Sequence, residues 1–186
     1  GTLGVDLAAL SPHDRSICDA LTMGLSPDPK QSNIMTAVRG RVGSLRPMDI
    51  WPNFKLIGCW LGGSCGTQAE RLVEWYGDAA FRDPGFRATE ATISVPIEDG
   101  TSEGVLALGA NYYEFIPVDE IERDEPNVLM AHELEVGHEY YILLTTRGGL
   151  YRYDINDIVL VTGRYHNAPL VAFVRKGRDM VNITGE

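Results

Sequence analysis

From Ala88 onward the sequence is a close series of short segments rich in β-branched and aromatic residues, separated by turn residues. This pattern is typical of β-strands. The segments are 88–97, 104–108, 111–118, 139–146, 150–153, 157–162 and 170–175. Strands this dense predict a barrel-like or strongly bent sheet. Segments 139–146 and 150–153 have the spacing of a hairpin around residues 147–149.

The sequence before this β-rich part has the alternating character of an α/β protein. Residues 54–61 are an apolar run typical of a buried strand, residues 62–66 are a glycine-rich loop, and residues 67–76 have helical spacing. In a strand, loop and helix of this kind, backbone N–H groups at the start of the helix face a ligand. We therefore expect an α/β fold.

The first third of the chain is predicted to be helical. Ser11-Pro12 and Asp28-Pro29 each place a capping side chain before a proline, which is how many helices begin. The first helix is expected to stop at Gly24, and the second at Gly40 and Gly43, because glycine is common just beyond a helix.

Composition and charge restrict the functions that fit. The 186 residues are 44% hydrophobic and 23% charged, which is ordinary for a soluble globular protein of about one domain. No apolar run approaches the ~20 residues of a membrane span. A net charge of −10 argues against nucleic acid as a partner but leaves room for one nucleotide. The sequence has three cysteines, no CxxC motif and no signal-peptide pattern, so we expect the protein in the reduced cytoplasm.

His132 and His138 resemble a zinc-protease motif, but the spacing excludes it. A zinc helix needs its two histidines four residues apart on one face. Here they are six apart with Gly137 between them. We expect a turn that leads into the strand at Glu139 instead.

Other candidate site residues each allow two interpretations. Gly62 and Gly63 can cradle a phosphate or an adenine ring, or can simply form a tight turn. Glu90, at the start of a predicted strand, can hold Mg²⁺ through oxygen or face solvent. Asp154 and Asp157, in a predicted turn, can bond their own backbone, or an aspartate there can grip a ribose diol.

The cationic stretch at residues 175–179 is also open to two interpretations. It can be a plain surface turn, or it can place Arg178 on a phosphate or a ribose.

Several short motifs occur in an order that matches a known family. They are residues 50–53 (Ile-Trp-Pro-Asn), 86–90 (Phe-Arg-Ala-Thr-Glu), 112–117 (Tyr-Tyr-Glu-Phe-Ile-Pro) and 149–157 (Gly-Leu-Tyr-Arg-Tyr-Asp-Ile-Asn-Asp). From about Asp28 to its last residue, the chain resembles the auxin-responsive (Gretchen Hagen) family of acyl-acid amido synthetases. These enzymes belong to the adenylate-forming superfamily, with acyl-CoA synthetases and firefly luciferase.

The resemblance implies a fold, a reaction and its partners. Residues 1–179 would be the second half of the large adenylation domain, and residues 180–186 the hinge to a small C-terminal domain, with a pivot at Asp179. ATP and Mg²⁺ would activate a small carboxylic acid as an acyl-adenylate, and the amine of an amino acid would then displace AMP. Two anions must meet in this reaction, so cationic groups are needed at the site.

By position in the motifs, the resemblance also implies residue roles. Thr89 would approach the α-phosphate, and Glu90 would serve Mg²⁺ or the phosphates; these are the expected catalytic residues. The expected nucleotide contacts are Gly62 and Gly63 in the adenine and acyl pocket, Phe86 as an aromatic wall, Asp157 on the ribose hydroxyls, and Arg178 near the hinge. Glu90, Asp157 and the paired glycines Gly62 and Gly63 are expected to converge on one cavity shaped for AMP.

Departures from the family pattern shape the expectation further. Plant members tend to have serine at the position of Thr89 and arginine at the position of Asp154, so we expect a bacterial member. The superfamily's Ser/Thr/Gly-rich phosphate loop and its catalytic lysine have no match in these residues, so the chain alone is expected to be inactive. The alternatives are an acyl-CoA ligase of the same superfamily and a non-catalytic nucleotide-binding module.

Overall fold

The computed structural model of the chain describes residues 10–23 and 26–178. The expected stop at Gly24, the pivot at Asp179 and the hinge at residues 180–186 lie outside this range. The chain divides into two compact units, Gly1–Pro52 and Asn53–Glu186. Among the described residues, no helix has both the length and the apolar character needed to cross a bilayer.

The first unit consists of helices α1 (Pro12–Met23), α2 (Pro29–Val42) and α3 (Pro47–Ile50). The caps predicted from the sequence are present. The Ser11 hydroxyl accepts the N–H of Asp14 at 3.2 Å, and the Asp28 carboxylate accepts the N–H of Gln31 at 3.0 Å.

Helix α2 ends at Gly43, the second of the two glycines near its C-terminus. Gly43 adopts a left-handed conformation with φ of 78° and closes the helix, whereas Gly40 lies inside it. The expectation that the helix ends at Gly40 was therefore wrong. A glycine stops a helix only where the chain needs the left-handed conformation, and that need arises at Gly43.

The second unit begins with a small parallel sheet. Strand β1 (Leu56–Gly58) pairs with β2 (Ala80–Arg82). Between them lie α4 (Gly63–Ala69), a 3₁₀ turn (Glu70–Leu72) and α5 (Val73–Tyr76). The strand, loop and helix order is confirmed, with a shorter strand and an earlier helix than expected.

Helix α4 can start earlier than expected because its glycine Gly66 packs closely against the backbone of Leu61. The helix begins at Gly63 rather than at residue 67, so the predicted glycine loop is its first turn. A Cβ on Gly66 would lie 2.3 Å from the carbonyl oxygen of Leu61. Because glycine lacks that atom, the helix can turn back at once against the segment that precedes it.

The remaining strands form one antiparallel sheet in the order β3-β4-β8-β7-β6-β5. They are β3 (Ser94–Pro96), β4 (Gly104–Leu106), β5 (Tyr112–Pro117), β6 (Glu139–Thr145), β7 (Tyr153–Tyr165) and β8 (Ala168–Lys176). Within the described part of the chain the edge strands β3 and β5 do not pair, so the sheet is open. The α/β class with a β-rich second part is confirmed, and the barrel-like part is this open sheet.

The larger part of the core lies on one face of that sheet, and a smaller cluster of Ile116, Tyr141 and Ile158 lies on the other. Phe115, Ile142 and Val159 have no exposed surface, and the ring of Phe115 meets that of Tyr140 edge-on at 6.4 Å. Burying apolar side chains of this size is the main term that stabilises such a sheet. The sheet thus gives the ends of β7 and β8 a rigid base.

Strand β7 corrects one expectation about the turn at Asp154 and Asp157. The sequence predicted two strands with a turn between them, whereas β7 runs unbroken from Tyr153 to Tyr165. Asn156 adopts φ of 59°, its N–H donates to the Asp154 carboxylate at 2.7 Å, and the pairing with β6 shifts register there. The local side-chain bond was anticipated, but it forms a bulge inside a strand and not a reversal.

The segment around His132 and His138 is as expected. Turns lead into β6 at Glu139, and Gly137 has φ of 89°. The two histidines do not share a helix, so the zinc-protease interpretation remains excluded.

Candidate functional site

A cavity of about 530 Å³ opens in the second unit between the start of α4, the segment after β2, and the ends of β7 and β8. We refer to it as the Asp157 cavity. Its volume falls within the roughly 300–1,000 Å³ typical of small-molecule sites. Its walls combine aromatic rings with carboxylates, hydroxyls and cationic side chains.

The structure brings most of the sequence-predicted site residues to this cavity. Those that line it are Gly62, Phe86, Thr89, Glu90 and Asp157. They come from three separate parts of the chain, so their convergence is a property of the fold and not of sequence proximity. Gly63 and Arg178 do not line the cavity.

The paired glycines have different positions. Gly62 caps α4 at the cavity, and a Cβ there would meet Ser102 and the Phe173 carbonyl at 3.4 Å. Gly63 adopts φ of 54°, and a Cβ on it would lie 3.2 Å from the Phe173 ring. Gly63 therefore lets α4 approach β8 behind the cavity wall, while Gly62 belongs to the wall itself.

Thr89 and Glu90 lie at the tip of a tight turn. The N–H of Ala88 donates to Ala91 at 3.0 Å, and the N–H of Ile93 donates to Phe86 at 2.9 Å. The sequence predicted a strand over residues 88–97, but only Ser94–Pro96 is one. Glu90 is thus at a turn tip and not at a strand start, where its carboxylate is half-buried and Thr89 is exposed.

Phe86 anchors this turn to the sheet. Its ring packs on that of Phe173 in β8, with centroids 5.3 Å apart, and its N–H donates to the Ser94 hydroxyl at 3.0 Å. Ser94 is buried. The anchoring holds the base of the turn while Thr89 and Glu90 face the cavity.

Asp157 is the buried carboxylate of the site, with 2% of its surface exposed. The Lys176 ammonium lies 2.6 Å from its Oδ1 as an ion pair, and no other group of the described residues donates a hydrogen bond to this oxygen. Burial raises the pKa of Asp157, Lys176 opposes that rise, and the negative charges of Glu90 and Asp154 add to it. A buried acceptor with unused capacity is suited to a hydroxyl ligand.

Arg178 does not reach the cavity, because neighbouring side chains bind it. Its guanidinium pairs with the Asp154 carboxylate and lies 5.6 Å above the Tyr141 ring. Its backbone N–H donates to Asn156 Oδ1 at 3.0 Å. The sequence interpretation did not foresee this pairing, since the residues that form it lie 24 positions apart.

Asp83 is a cavity residue that the sequence interpretation missed. It is 3% exposed and accepts the N–H of Leu61 at 2.6 Å and that of Gly85 at 2.7 Å. It therefore ties the segment before Gly62 to the segment before Phe86. The Asp-Pro-Gly sequence at residues 83–85 is a turn signature that could have revealed it.

Lys176 was also missed, since its proximity to Asp157 depends on strand register. The two residues are direct partners in the pairing of β7 with β8. No local motif marks such a pair. Only a prediction of the hairpin register would have placed a cation beside the aspartate.

The side chains of the cavity fit a metal ion that binds together with a phosphate ligand better than a metal ion held by protein side chains alone. Asp83, Glu90 and Asp157 supply carboxylates, and Arg87 and Lys176 supply cations. Among the residues that the structure describes, no group of three or more His, Cys, Asp or Glu side chains is placed to hold a metal. Mg²⁺ bound to nucleotides often uses only one or two protein carboxylates, with phosphates and water completing its shell. The Glu90 carboxylate fits that pattern.

Most of the β-sheet of the second unit matches a known family model. Residues 104–176 match the GH3 family central domain, a span that runs from β4 to the end of β8. The resemblance drawn from the motifs is therefore confirmed, and the chain is a partial-length relative of the GH3 acyl-acid amido synthetases.

Curated relatives come from plants and from human. The chain is 28% identical over 166 residues to indole-3-acetic acid-amido synthetase GH3.3 of Arabidopsis thaliana, covering 86% of this chain and 28% of that protein. It is 30% identical over 141 residues to the 4-substituted benzoates-glutamate ligase GH3.12 of the same plant, covering 74% and 24%. It is 28% identical over 144 residues to the human GH3 domain-containing protein, covering 74% and 27%. The expected bacterial source stays a prediction.

Solved structures show the same fold. The GH3.15 acyl acid amido synthetase matches with a TM-score of 0.67 at 23% identity, over 87% of this chain and 28% of that one. AtGH3.15 acyl acid amido synthetase in complex with 2,4-DB matches with a TM-score of 0.68 at 21% identity, over 98% and 32%. The chain thus spans about a third or less of these enzymes' length.

Proposed function

We propose that the chain forms part of the substrate site of an ATP-dependent ligase. The intact protein would activate a small carboxylic acid as an acyl-adenylate and transfer it to the amine of an amino acid. The observation that supports this proposal best is the convergence of Gly62, Glu90 and Asp157 on the Asp157 cavity. The names of the relatives, which are amido synthetases and a benzoates-glutamate ligase, agree with it.

Asp157 would bind the ribose in this proposal. A carboxylate can accept two hydrogen bonds at once, which matches the vicinal hydroxyls of a ribose. Asp157 is buried, and no group of the described residues other than Lys176 donates to its Oδ1. Two hydroxyl donors would satisfy it and fix the nucleotide against the end of β7.

The aromatic rings would bind the flat part of a substrate. Phe86 and Phe173 pack together at the wall, and Trp60, whose side chain is 58% exposed, also lines the cavity. Planar rings such as adenine or an aryl acid gain both buried area and stacking from such a wall.

The turn tip would face the phosphates. Thr89 and Glu90 both line the cavity. The Thr89 hydroxyl would donate to an α-phosphate oxygen, and the Glu90 carboxylate would hold Mg²⁺. When bound, Mg²⁺ would offset the repulsion between the phosphate and the substrate carboxylate. The anchored base of the turn would fix both side chains, which is what brings the reacting groups into line.

The reaction itself requires the intact protein, since the expected phosphate loop and catalytic lysine have no match in these residues. The test is exchange of pyrophosphate into ATP by the intact protein, screened over aryl and alkyl acids. Acid-dependent exchange supports the proposal, and Glu90→Gln should lower it. Analysis of the products with amino acid or coenzyme A then separates amide from thioester formation. ATP binding without exchange for any acid would favour a non-catalytic nucleotide-binding module.

A further inference from the structure

Lys176 is the half-buried cation of the Asp157 cavity. It lies at the last position of β8, directly opposite Asp157 in the strand pairing, with 23% of its side chain exposed. Its ammonium is 2.6 Å from Oδ1 of Asp157 and 3.5 Å from the carbonyl oxygen of Ile155. The other cation at the cavity, Arg87, is exposed.

The charges around Asp157 make this lysine important. Glu90 at the turn tip and Asp154 on the same strand both disfavour a negative charge on Asp157, and burial disfavours it more. Lys176 is the positive group that counters them. Arg178 does not take this place, because its guanidinium pairs with Asp154.

The state of Asp157 determines what it can bind. As a carboxylate it offers acceptors on both oxygens, whereas as a carboxylic acid one oxygen becomes a donor. A vicinal diol that donates both of its protons needs the carboxylate. A buried acid that lost its counter-ion would favour the protonated form.

We propose that Lys176 is a positioning residue of the ribose site. It keeps the side chain of Asp157 ionised and fixes its orientation, so that both carboxylate oxygens can accept hydrogen bonds from the ribose hydroxyls of a nucleotide. This inference rests on the proposed function. Lys176 acts through Asp157 in this role, and its contribution therefore depends on the ligand having a diol.

That dependence separates the proposal from a simpler role. A lysine that contacted a phosphate directly would strengthen binding of ATP and of 2′,3′-dideoxy-ATP alike. A lysine that acts through Asp157 strengthens binding of ATP alone, because the dideoxy compound has no hydroxyl for the carboxylate to accept.

The experiment measures equilibrium binding of both nucleotides to the intact protein. We expect Lys176→Met to weaken ATP binding roughly tenfold, the size of one charge-assisted hydrogen bond, and to change dideoxy-ATP binding less than about twofold. Lys176→Arg should keep most of the discrimination because it keeps the charge. Lys55→Met, which removes an exposed lysine of the same unit, is the matched control and should bind both nucleotides as the wild type does.

A pH profile gives a second readout that loss of packing alone would not move. Asp157 must be ionised to accept the diol, and Lys176 favours the ionised form. Removing Lys176 therefore raises the pKa of Asp157 further, and ATP affinity should begin to fall at a higher pH in Lys176→Met than in the wild type. Lys176→Arg should follow the wild-type profile even if Lys176→Met is poorly folded.

The outcomes separate this inference from the proposed function. If Lys176→Met loses the same affinity for ATP and for dideoxy-ATP, or keeps the wild-type preference for ATP, the role of Lys176 is overturned but the ribose site at Asp157 is not. A wild type that binds both nucleotides equally would overturn the ribose site at Asp157, and the positioning role with it.

Discussion

Two buried carboxylates that line the Asp157 cavity are equally shielded but differently bonded. Asp83, 3% exposed, accepts two backbone N–H groups and joins the segments that carry Gly62 and Phe86. Asp157, 2% exposed, has Lys176 as its ion-pair partner, and no other group of the described residues donates to its Oδ1. Backbone N–H groups therefore satisfy the first carboxylate, whereas the second can still accept hydrogen bonds. Burial alone does not distinguish these two acids, but their hydrogen bonding does.

The first unit contains a third carboxylate, Asp49, whose pKa is shifted in the opposite direction to that of Asp157. Asp49 accepts hydrogen bonds from Arg46 at 3.1 Å and from the Ser44 hydroxyl at 2.9 Å. The Arg46 guanidinium, chiefly, lowers the pKa of Asp49 to about 2. For Asp157 the desolvation that raises the pKa outweighs its partner. A complete set of hydrogen-bond partners lowers the pKa of a carboxylate, whereas burial with a single cationic partner leaves the pKa of Asp157 raised.

The largest effect should come from removing the satisfied carboxylate in the cavity. Asp83→Ala leaves two N–H groups without their acceptor and should lower the free energy of unfolding by about 2–4 kcal/mol. Asp157→Ala leaves no backbone N–H without its acceptor, but it does leave Lys176 without its ion-pair partner, and it should cost less stability than Asp83→Ala. Urea unfolding of the two variants measures both values. Equal losses would mean that the two carboxylates do not differ as described.

The next effect concerns the glycines that shape the wall at α4. Gly66→Ala puts a Cβ 2.3 Å from the Leu61 carbonyl oxygen, and we expect a loss of about 1–3 kcal/mol in unfolding free energy as the helix start is displaced. Gly58→Ala is the matched control, because a Cβ there has no atom within 4 Å. If Gly66→Ala unfolds at the same urea concentration as Gly58→Ala, the close approach at Leu61 is not needed.

Nucleotide binding should respond to Asp157 and not to Asp49. In the intact protein, Asp157→Ala removes the acceptor of the ribose hydroxyls and should weaken ATP binding about tenfold, or ~1.4 kcal/mol. Asp49→Ala removes a carboxylate that belongs to the first unit and should leave ATP affinity unchanged. Titration calorimetry compares them. An Asp157→Ala protein that binds ATP as tightly as the wild type contradicts the ribose assignment.

The smallest expected effect is that the contributions of Asp157 and Asp49 to stability depend on pH in opposite directions. Because folding raises the pKa of Asp157, its contribution to stability is fully present below its unfolded pKa and is lost as pH rises through the folded value. Because folding lowers the pKa of Asp49 to about 2, its contribution is present above the ordinary value of 3.8 and is lost as pH falls toward 2. The difference in unfolding free energy between the wild type and Asp49→Asn should therefore rise with pH below 3.8, whereas the difference for Asp157→Asn should fall with pH above 3.8.

Much of the architecture could be predicted because its signals are local. The caps at Ser11 and Asp28 and the strands of the β-rich part follow from capping chemistry and periodicity. The boundaries that differed were set by packing between distant segments. The start of α4 at Gly63 depends on its contact with Leu61, and the bulge at Asn156 depends on pairing with β6.

The site was predictable to the extent that family motifs mark it. Thr89, Glu90 and Asp157 stand in such motifs, and the structure brings them to one cavity. Lys176 reaches Asp157 through strand register, and Arg178 is drawn away by an aspartate in another strand. Pairings of this kind are tertiary, so a single sequence does not reveal them.

A crystal structure of the intact protein with AMP bound would decide whether the cavity is the nucleotide site. We expect both ribose hydroxyls within ~3 Å of the Asp157 carboxylate, with Phe86 and Glu90 facing the same ligand. AMP bound in another cavity, or bound here with its ribose turned away from Asp157, would contradict the proposal.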